Sequence, residues 1–227
     1  MTTSPAINRA GPTPSDTDDA STATVNPGFR HWEGRLFGGL VLAAFLLYGI
    51  GSALVDEPIG VGLVAINSVA VTIVGVIGFR LLRHHNPAVG AGYLAARIAE
   101  ATFLGGGVAL YTFADHSGAD ITGYLWGMLA LGIGSLPFWY VVGRGPWLSM
   151  RFALWGMAGY LALTAGALIE LTTGREVTYF FAAPGGLFEI AVGLYLLRRG
   201  FGPSKSIVAS PARQNAATDE ITGRTER

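Results

Sequence analysis

Six long apolar segments, separated by short polar stretches, occupy the middle of the chain. Each has about 20 residues, the length that an α-helix needs to cross ~30 Å of hydrocarbon at ~1.5 Å per residue. A segment in lipid must satisfy its own backbone hydrogen bonds, so a helix is the expected form. The pattern predicts an all-α fold, a polytopic transmembrane helical bundle with six spans. The segments are 36–55, 59–79, 91–113, 121–142, 152–171 and 179–197.

The breaks between these segments carry residues that stop helices. The strings "DEP" at 56–58, "RHHNP" at 83–87 and "GRGP" at 143–146 end the first, second and fourth segments. Because Pro and Gly at such places end helices and form turns, we expect tight connections. Helices that follow one another in the chain should therefore be neighbours in the bundle.

Basic residues collect at one end of the predicted bundle, which also carries both termini. This positive-inside pattern places that end in the cytoplasm, and an even number of spans agrees with it. We therefore expect a multi-pass protein of the cell inner membrane, in contact with the lipid bilayer. The opposite end has one base, Arg175, among acidic residues. The bases of the cytoplasmic end are Arg30, Arg35, Arg80, Arg83, Arg144, Arg151, Arg198, Arg199 and Lys205.

The two ends of the chain differ from its middle in composition. Residues 1–33 and 203–227 have few large apolar side chains, so we expect disordered cytoplasmic tails around a transmembrane domain at 34–202. Only 13% of all residues are charged and 51% are hydrophobic, which leaves too little polar surface for a soluble protein. The formal net charge is zero, so nucleic acid is not an expected partner.

Two charged residues interrupt the third apolar segment. In "GYLAARIAEATFLGGG" at 92–107, Arg97 and Glu100 stand three residues apart and so share one face of a helix. Seven large apolar residues of the segment favour its insertion by roughly 3 kcal/mol, whereas each charge opposes it by about 2.5–3.5 kcal/mol. This segment therefore needs neighbouring helices that offer the two charges better partners than lipid.

Glu189 in the sixth segment is the predicted partner. It lies near mid-depth, and Gly185, Gly186 and Gly193 on its helix allow close packing. The proposed buried charge group is Arg97, Glu100 and Glu189. If all three are ionised, one negative charge is left over, so one acid should be protonated or balanced by a cation. Further candidates for a polar lining are Asn67, Tyr93, Tyr140 and Glu170.

Two interpretations of this group stay open. It can fix the packing of the helices, or it can act as a proton relay or ion site. The leading hypothesis is a non-enzymatic membrane protein whose charge group organises the bundle around a small ion or ligand cavity. The alternative is a proton-coupled transporter or channel that uses Glu100 or Glu189 as its titrating group.

Other catalytic or metal-binding chemistry has little support in the sequence. The four histidines lie in tails or loops, and none pairs with a serine inside the apolar segments. We therefore expect no metal, no cofactor and no enzymatic activity. The histidines are His31, His84, His85 and His116.

The second half of the chain resembles a family of bacterial membrane proteins catalogued as domain of unknown function 4386. The resemblance covers roughly 34–202 and rests on "YLAARIAEATFL", "LGIGSLPFWYVVGRGPWLSMRFALWGMAGYLALTAGALIEL" and "APGGLFEIAVGLYLLRRGF". That family has no assigned activity. The resemblance therefore implies the membrane topology and supports the residues selected above, but it implies no reaction. The matching positions are Arg97 with Glu100, Arg144 with Pro146, Trp147 and Leu148, Trp155 with Gly156, and Pro184 with Glu189 before Gly200 and Phe201.

Overall fold

The computed structural model describes residues 31–201, which form six α-helices. This part of the chain contains no β-strand, and the all-α prediction is confirmed. The predicted tails lie outside the described residues, except that residues 31–33 belong to the first helix and not to a tail. The helices are α1 (His31–Ala53), α2 (Pro58–Leu82), α3 (Pro87–Ala114), α4 (Ala119–Arg144), α5 (Met150–Thr173) and α6 (Thr178–Arg199).

Short connections and local caps set where the helices begin and end. Each connection has four or five residues, and Pro58 and Pro87 stand in the first turns of α2 and α3. Asn86 caps α3, since its side chain accepts a hydrogen bond of 3.2 Å from the Val89 amide. Gly174 ends α5 with a φ of 70°, a conformation that favours glycine.

Five helices, α1, α2, α4, α5 and α6, are long and apolar enough to cross a membrane. The longest helix, α3, carries Arg97 and Glu100 and is not among these five. Large apolar side chains such as Leu46, Ile66 and Leu161 stay more than half exposed on the outside of the bundle. Lipid is the solvent that suits such a surface, and the chain is a multi-pass helical membrane protein.

The helices form a closed ring. Each helix packs against the next one in the chain, and α6 packs back against α1. Since successive helices run in opposite directions, His31 and Phe201 lie at the same end, which we call the terminal end. Phe37 and Phe201, whose ring centroids are 5.4 Å apart, join α1 to the residues after α6 there. The expectation that sequential helices are neighbours is confirmed.

A glycine closes the seam between α1 and α6. A Cβ atom added at Gly38 would lie 2.5 Å from the Gly193 carbonyl oxygen and 2.7 Å from the Leu197 amide nitrogen. Only a residue without a side chain lets the two backbones approach so closely. Further along α1, Gly49 is exposed, and a Cβ added there would meet no atom within 4 Å, so α1 is less closely packed at this position.

Aromatic side chains fill the ring at two levels. An aromatic cluster of Phe37, Tyr93, Phe138, Trp139 and Phe188 packs the terminal half, and its closest pair, Tyr93 and Phe138, has centroids 3.9 Å apart. At the opposite end a tyrosine stack consists of Tyr48, Tyr124 and Tyr179, with successive centroids 5.6 and 5.5 Å apart. The interior between these two levels is less completely filled, and the buried charges lie there.

Candidate functional site

A cavity of about 180 Å³ lies inside the ring, between the aromatic cluster and the tyrosine stack. Asn67 of α2, Arg97 and Glu100 of α3, and Glu189 of α6 form its polar lining. Residues of α1, α2, α3 and α4 supply the rest, which is mostly apolar. They include Val41, Ala44, Phe45, Tyr48, Leu104, Met128 and Leu131.

Arg97 and Glu100 form an ion pair in this interior. The Arg97 Nη1 atom lies 2.6 Å from Oε2 of Glu100, one helical turn away, and both residues are only 4% exposed. A hydrogen-bonded pair of opposite charges removes much of the penalty for burying either one. The pair also explains how α3 carries two charges while it packs between α2 and α4.

Two neighbours hold the Arg97 side chain inside the ring. Its Nε atom donates a hydrogen bond of 3.2 Å to the Tyr93 hydroxyl, one turn earlier on α3. On α2, a Cβ added at Gly75 would lie 2.7 Å from the Arg97 Cβ, so the absence of a side chain there lets the arginine stem pass. Tyr93 is 1% exposed and belongs to the aromatic cluster, which anchors the guanidinium against rigid rings.

Glu189 has a different partner from the one that the sequence suggested. Its Oε1 atom accepts a hydrogen bond of 2.5 Å from the Tyr160 hydroxyl of α5. Within residues 31–201, the ion pair of Arg97 is with Glu100 and not with Glu189. Glu189 and Arg97 line the same cavity and interact electrostatically across it, without direct contact between their charged atoms.

Asn67 contributes an unused acceptor to the cavity. The residue is 1% exposed and lies midway along α2, where its side chain lines the cavity. Its Oδ1 atom has no hydrogen-bond partner among the described residues. A buried amide oxygen of this kind is costly unless a donor reaches it. The wall of the cavity therefore contains an unsatisfied amide oxygen, besides the Glu189 carboxylate.

Of the four residues suggested as polar lining, only Asn67 lines the cavity; Tyr93 belongs to the aromatic cluster and holds Arg97, and the other two lie farther away. Tyr140 is 41% exposed on the outside of α4, where its ring lies under the Arg144 guanidinium at 4.9 Å. Glu170 caps α6: its Oε2 atom accepts hydrogen bonds of 3.0 and 2.9 Å from the Val177 and Thr178 amides. Free amides at a helix N-terminus attract a carboxylate, so this position suits Glu170 better than the cavity.

The sequence reasoning did not find three features of the interior. Tyr160 was not named, although its "GYLA" string at 159–162 repeats the string at 92–95 that contains Tyr93. The tyrosine stack was also missed, because residues on α1, α4 and α6 meet only in three dimensions. The third feature is Glu33, assigned to the tail, which is buried at the terminal end and forms an ion pair of 2.8 Å with Arg80.

Comparison with protein-family models, with curated proteins and with solved structures found no match to this chain. The arrangement of residues is therefore the basis for a functional interpretation. Within residues 31–201, no group of three or more His, Cys, Asp or Glu side chains is placed to hold a metal ion. The lining of the cavity includes one carboxylate without a basic partner, one unsatisfied amide oxygen and apolar walls.

Proposed function

We propose that this chain is a non-enzymatic integral membrane protein whose helical ring encloses a binding cavity for a small ion or polar ligand. The observation that carries the proposal is the shared cavity, into which α2, α3 and α6 all present polar groups. In a bundle that needed no interior site, apolar packing at these positions would be at least as stable as buried charge.

The three charged residues have separate roles in this proposal. Arg97 and Glu100 neutralise each other and organise α3 within the ring, since each would be unstable there without the other. Glu189 is held by a neutral hydroxyl, so its carboxylate keeps the capacity to bind a cation or a proton. The Arg97–Glu100 pair thus organises the bundle, and Glu189 faces the ligand.

The accessibility of Glu189 to a small hydrophobic reagent tests this function. Dicyclohexylcarbodiimide partitions into membranes and reacts with protonated carboxylic acids. We expect it to label Glu189 in the purified full-length protein and to leave the ion-paired Glu100 largely unmodified. Mass spectrometry of the peptides identifies the labelled residue. Ala44→Phe, which fills the cavity from α1, should reduce the labelling.

An unlabelled Glu189 would contradict the proposed cavity, provided that the exposed Glu176 is labelled by a water-soluble carbodiimide in the same preparation. Equal labelling of Glu100 and Glu189 would also contradict it, since Glu100 would then not be held as a pair.

The membrane topology is part of the proposal. We infer that α3 crosses the membrane together with the five apolar helices, which gives six spans. We also infer that both termini lie in the cytoplasm of a cell with an inner membrane. The inward direction of Arg97 and Glu100 supports a membrane position for α3, because its lipid-facing side then carries apolar residues such as Ile98 and Phe103. The basic residues of the terminal end support the orientation.

Single cysteines test this topology, because the natural chain has none. Ser117→Cys and His84→Cys place a thiol in exposed connections at the opposite end and the terminal end, respectively. A membrane-impermeant maleimide should label Ser117→Cys in intact cells and should label His84→Cys only after lysis. The reverse pattern would invert the topology, and labelling of both in intact cells would exclude α3 as a span.

Proton-coupled transport is the second candidate function. It is favoured by the lack of a basic partner within ion-pair distance of Glu189 among the described residues, since such an acid can gain and lose a proton. Of the two acids considered from the sequence, Glu189 suits this role better than Glu100, whose charge is matched by Arg97. Proteoliposomes with a pH gradient should then take up protons, and Glu189→Gln should abolish the uptake without unfolding.

We also propose membership of the family catalogued as domain of unknown function 4386, on the motifs quoted above. An experimental structure of a member would test it: the same ring order, with a basic–acidic pair on the third helix, is the expected result.

A further inference from the structure

We propose that the cavity binds a small organic ammonium ion, with an apolar body about the size of a benzene ring. This inference rests on the proposed function and names the class of its ligand. It is drawn from the charge balance of the cavity, its unused hydrogen-bond acceptors, its size and the nature of its entrance.

The charge balance calls for one positive charge. Among the described residues that line the cavity, Arg97 is the single base, while Glu100 and Glu189 are acids. The Arg97–Glu100 pair is neutral as a unit, and the Tyr160 hydroxyl adds no charge to Glu189. An ionised Glu189 therefore leaves the cavity with a surplus negative charge, which a monovalent cation neutralises.

The unused hydrogen-bond acceptors of the cavity favour a ligand with more than one N–H group. Glu189 has acceptor capacity beyond its bond to Tyr160, and the Asn67 Oδ1 atom is buried without a partner among the described residues. These acceptors come from α6 and α2, which flank α1. A primary ammonium group has three N–H donors and can reach more than one acceptor at once.

The walls and the size of the cavity favour an organic body over a bare metal ion. Apart from its polar residues, the lining is made of aliphatic and aromatic side chains and one methionine. Ca²⁺ requires six to eight oxygen ligands, and Mg²⁺ keeps a shell of water, which these walls cannot replace. A cavity of ~150 Å³ with apolar walls holds one benzene molecule, so about 180 Å³ suits a ligand of that class.

The opposite end of the ring favours the approach of cations. Tyr48 lines the cavity, and its ring stacks on that of Tyr124, which packs against Leu104 above the charged pair. Tyrosine faces attract ammonium ions. The connections at this end also carry exposed acids, whose summed field concentrates cations near the stack. These acids are Asp56, Glu57, Asp115 and Glu176.

Three probes with the same ring and different charges test the inference on purified full-length protein: benzylammonium, benzyl alcohol and benzoate. Isothermal titration calorimetry and the melting temperature report binding. We expect benzylammonium to bind at least about tenfold more tightly than benzyl alcohol, which corresponds to one charge-assisted hydrogen bond. Benzoate should not bind detectably.

Variants identify the groups that recognise the ammonium. Glu189→Gln should weaken benzylammonium binding by about 10- to 100-fold and leave benzyl alcohol binding unchanged. Asn67→Leu, of similar shape, should weaken benzylammonium binding by about tenfold. Glu176→Gln, which removes one exposed acid outside the cavity, is the matched control and should change benzylammonium binding far less than Glu189→Gln does, because salt screens an exposed charge.

The outcomes distinguish a failure of the ammonium ligand from a failure of the proposed binding cavity. Equal binding of benzylammonium and benzyl alcohol, or preferred binding of benzoate, overturns the ammonium ligand while the cavity stands. No benzylammonium binding, together with proton uptake that depends on Glu189, identifies a proton as the occupant and also overturns it. Failure of all probes and of carbodiimide labelling overturns both proposals. The ranking of probes on the natural chain decides the question even where a variant fails to fold.

Discussion

The Tyr160 hydroxyl oxygen lies 2.5 Å from Oε1 of Glu189, and this hydrogen bond joins α5 to α6 inside the ring. Glu189, which the sequence suggested as a partner of Arg97, is therefore hydrogen-bonded to Tyr160 instead. The two carboxylates that line the cavity therefore have different partners: a cation for the buried Glu100, and a neutral hydroxyl for Glu189, which is only partly buried and not fully buried as the sequence suggested. This difference makes the roles of the two acids separable by experiment.

Tyr160→Phe should destabilise the protein modestly. The substitution removes the hydroxyl donor and keeps the ring, whose edge contact with Phe188 stays in place. We expect a loss of about 0.5–1.5 kcal/mol in the free energy of unfolding, measured by titration with sodium dodecyl sulfate. Carbodiimide labelling of Glu189 should change in the same variant, because the carboxyl group loses its direct partner. Unchanged stability with unchanged labelling would show that this hydrogen bond is not formed.

Glu100→Gln should be far more damaging than Glu189→Gln. The first change leaves the Arg97 guanidinium buried without a counter-charge, which costs about 3–5 kcal/mol. The second change keeps an oxygen that accepts from Tyr160, so the expected loss is below about 1 kcal/mol. Unfolding of both variants in the same detergent gives the comparison.

A double variant supplies the control for that comparison. Arg97→Leu combined with Glu100→Leu removes both charges, and it should recover much of the stability lost by Glu100→Gln alone. A larger loss for Glu189→Gln than for Glu100→Gln would reverse the roles assigned to the two acids.

Gly38→Ala should open the seam between α1 and α6. The new Cβ would lie 2.5 Å from the Gly193 carbonyl oxygen, so the helix backbones have to move apart. We expect a loss of about 1–3 kcal/mol, the usual range for overpacking, seen as a lower melting temperature. The matched control is Gly49→Ala on the same helix, where a Cβ meets no atom within 4 Å. Similar effects at both positions would mean that helix propensity, and not close packing, determines the result.

Glu170→Ala should loosen the start of α6. The substitution removes the acceptor of the Val177 and Thr178 amides, and loss of a cap costs about 0.5–2 kcal/mol. Hydrogen exchange should accelerate at these two amides, while the cavity probes bind as before because Glu170 does not line the cavity. Glu176→Ala, in the connection between α5 and α6, is the control and should leave the exchange unchanged. Loss of probe binding in Glu170→Ala would indicate that the cap and the cavity are coupled.

Much of the fold could be predicted from the order of apolar and polar residues. Each of the six predicted segments overlaps a helix of the structure, and the strings "DEP", "RHHNP" and "GRGP" mark three of the connections. Arg97 and Glu100 were recognised because they stand three residues apart on one helix. Their contact is local, so sequence spacing and helix geometry are sufficient to predict it.

The partner of Glu189 could not be predicted in the same way. Its depth follows from its position in α6, but its direction depends on how α6 rotates against α5 and α1. Gly159 and Gly185 bring α5 and α6 together and so place Tyr160 beside the acid. Tyr140 shows the converse: it lies on an apolar helix, yet it is exposed on the outside of α4 and closer to the terminal end than Leu131, which lines the cavity.

Hydropathy and turn residues act along the chain, so they specify the helices, their connections and the depth of each charge. The closure of the ring, the tyrosine stack and the partner of each acid depend instead on how the helices pack. These features join residues on different helices, and their distances depend on the close approach of helix backbones. No pattern along one chain specifies which face of one helix meets which face of another.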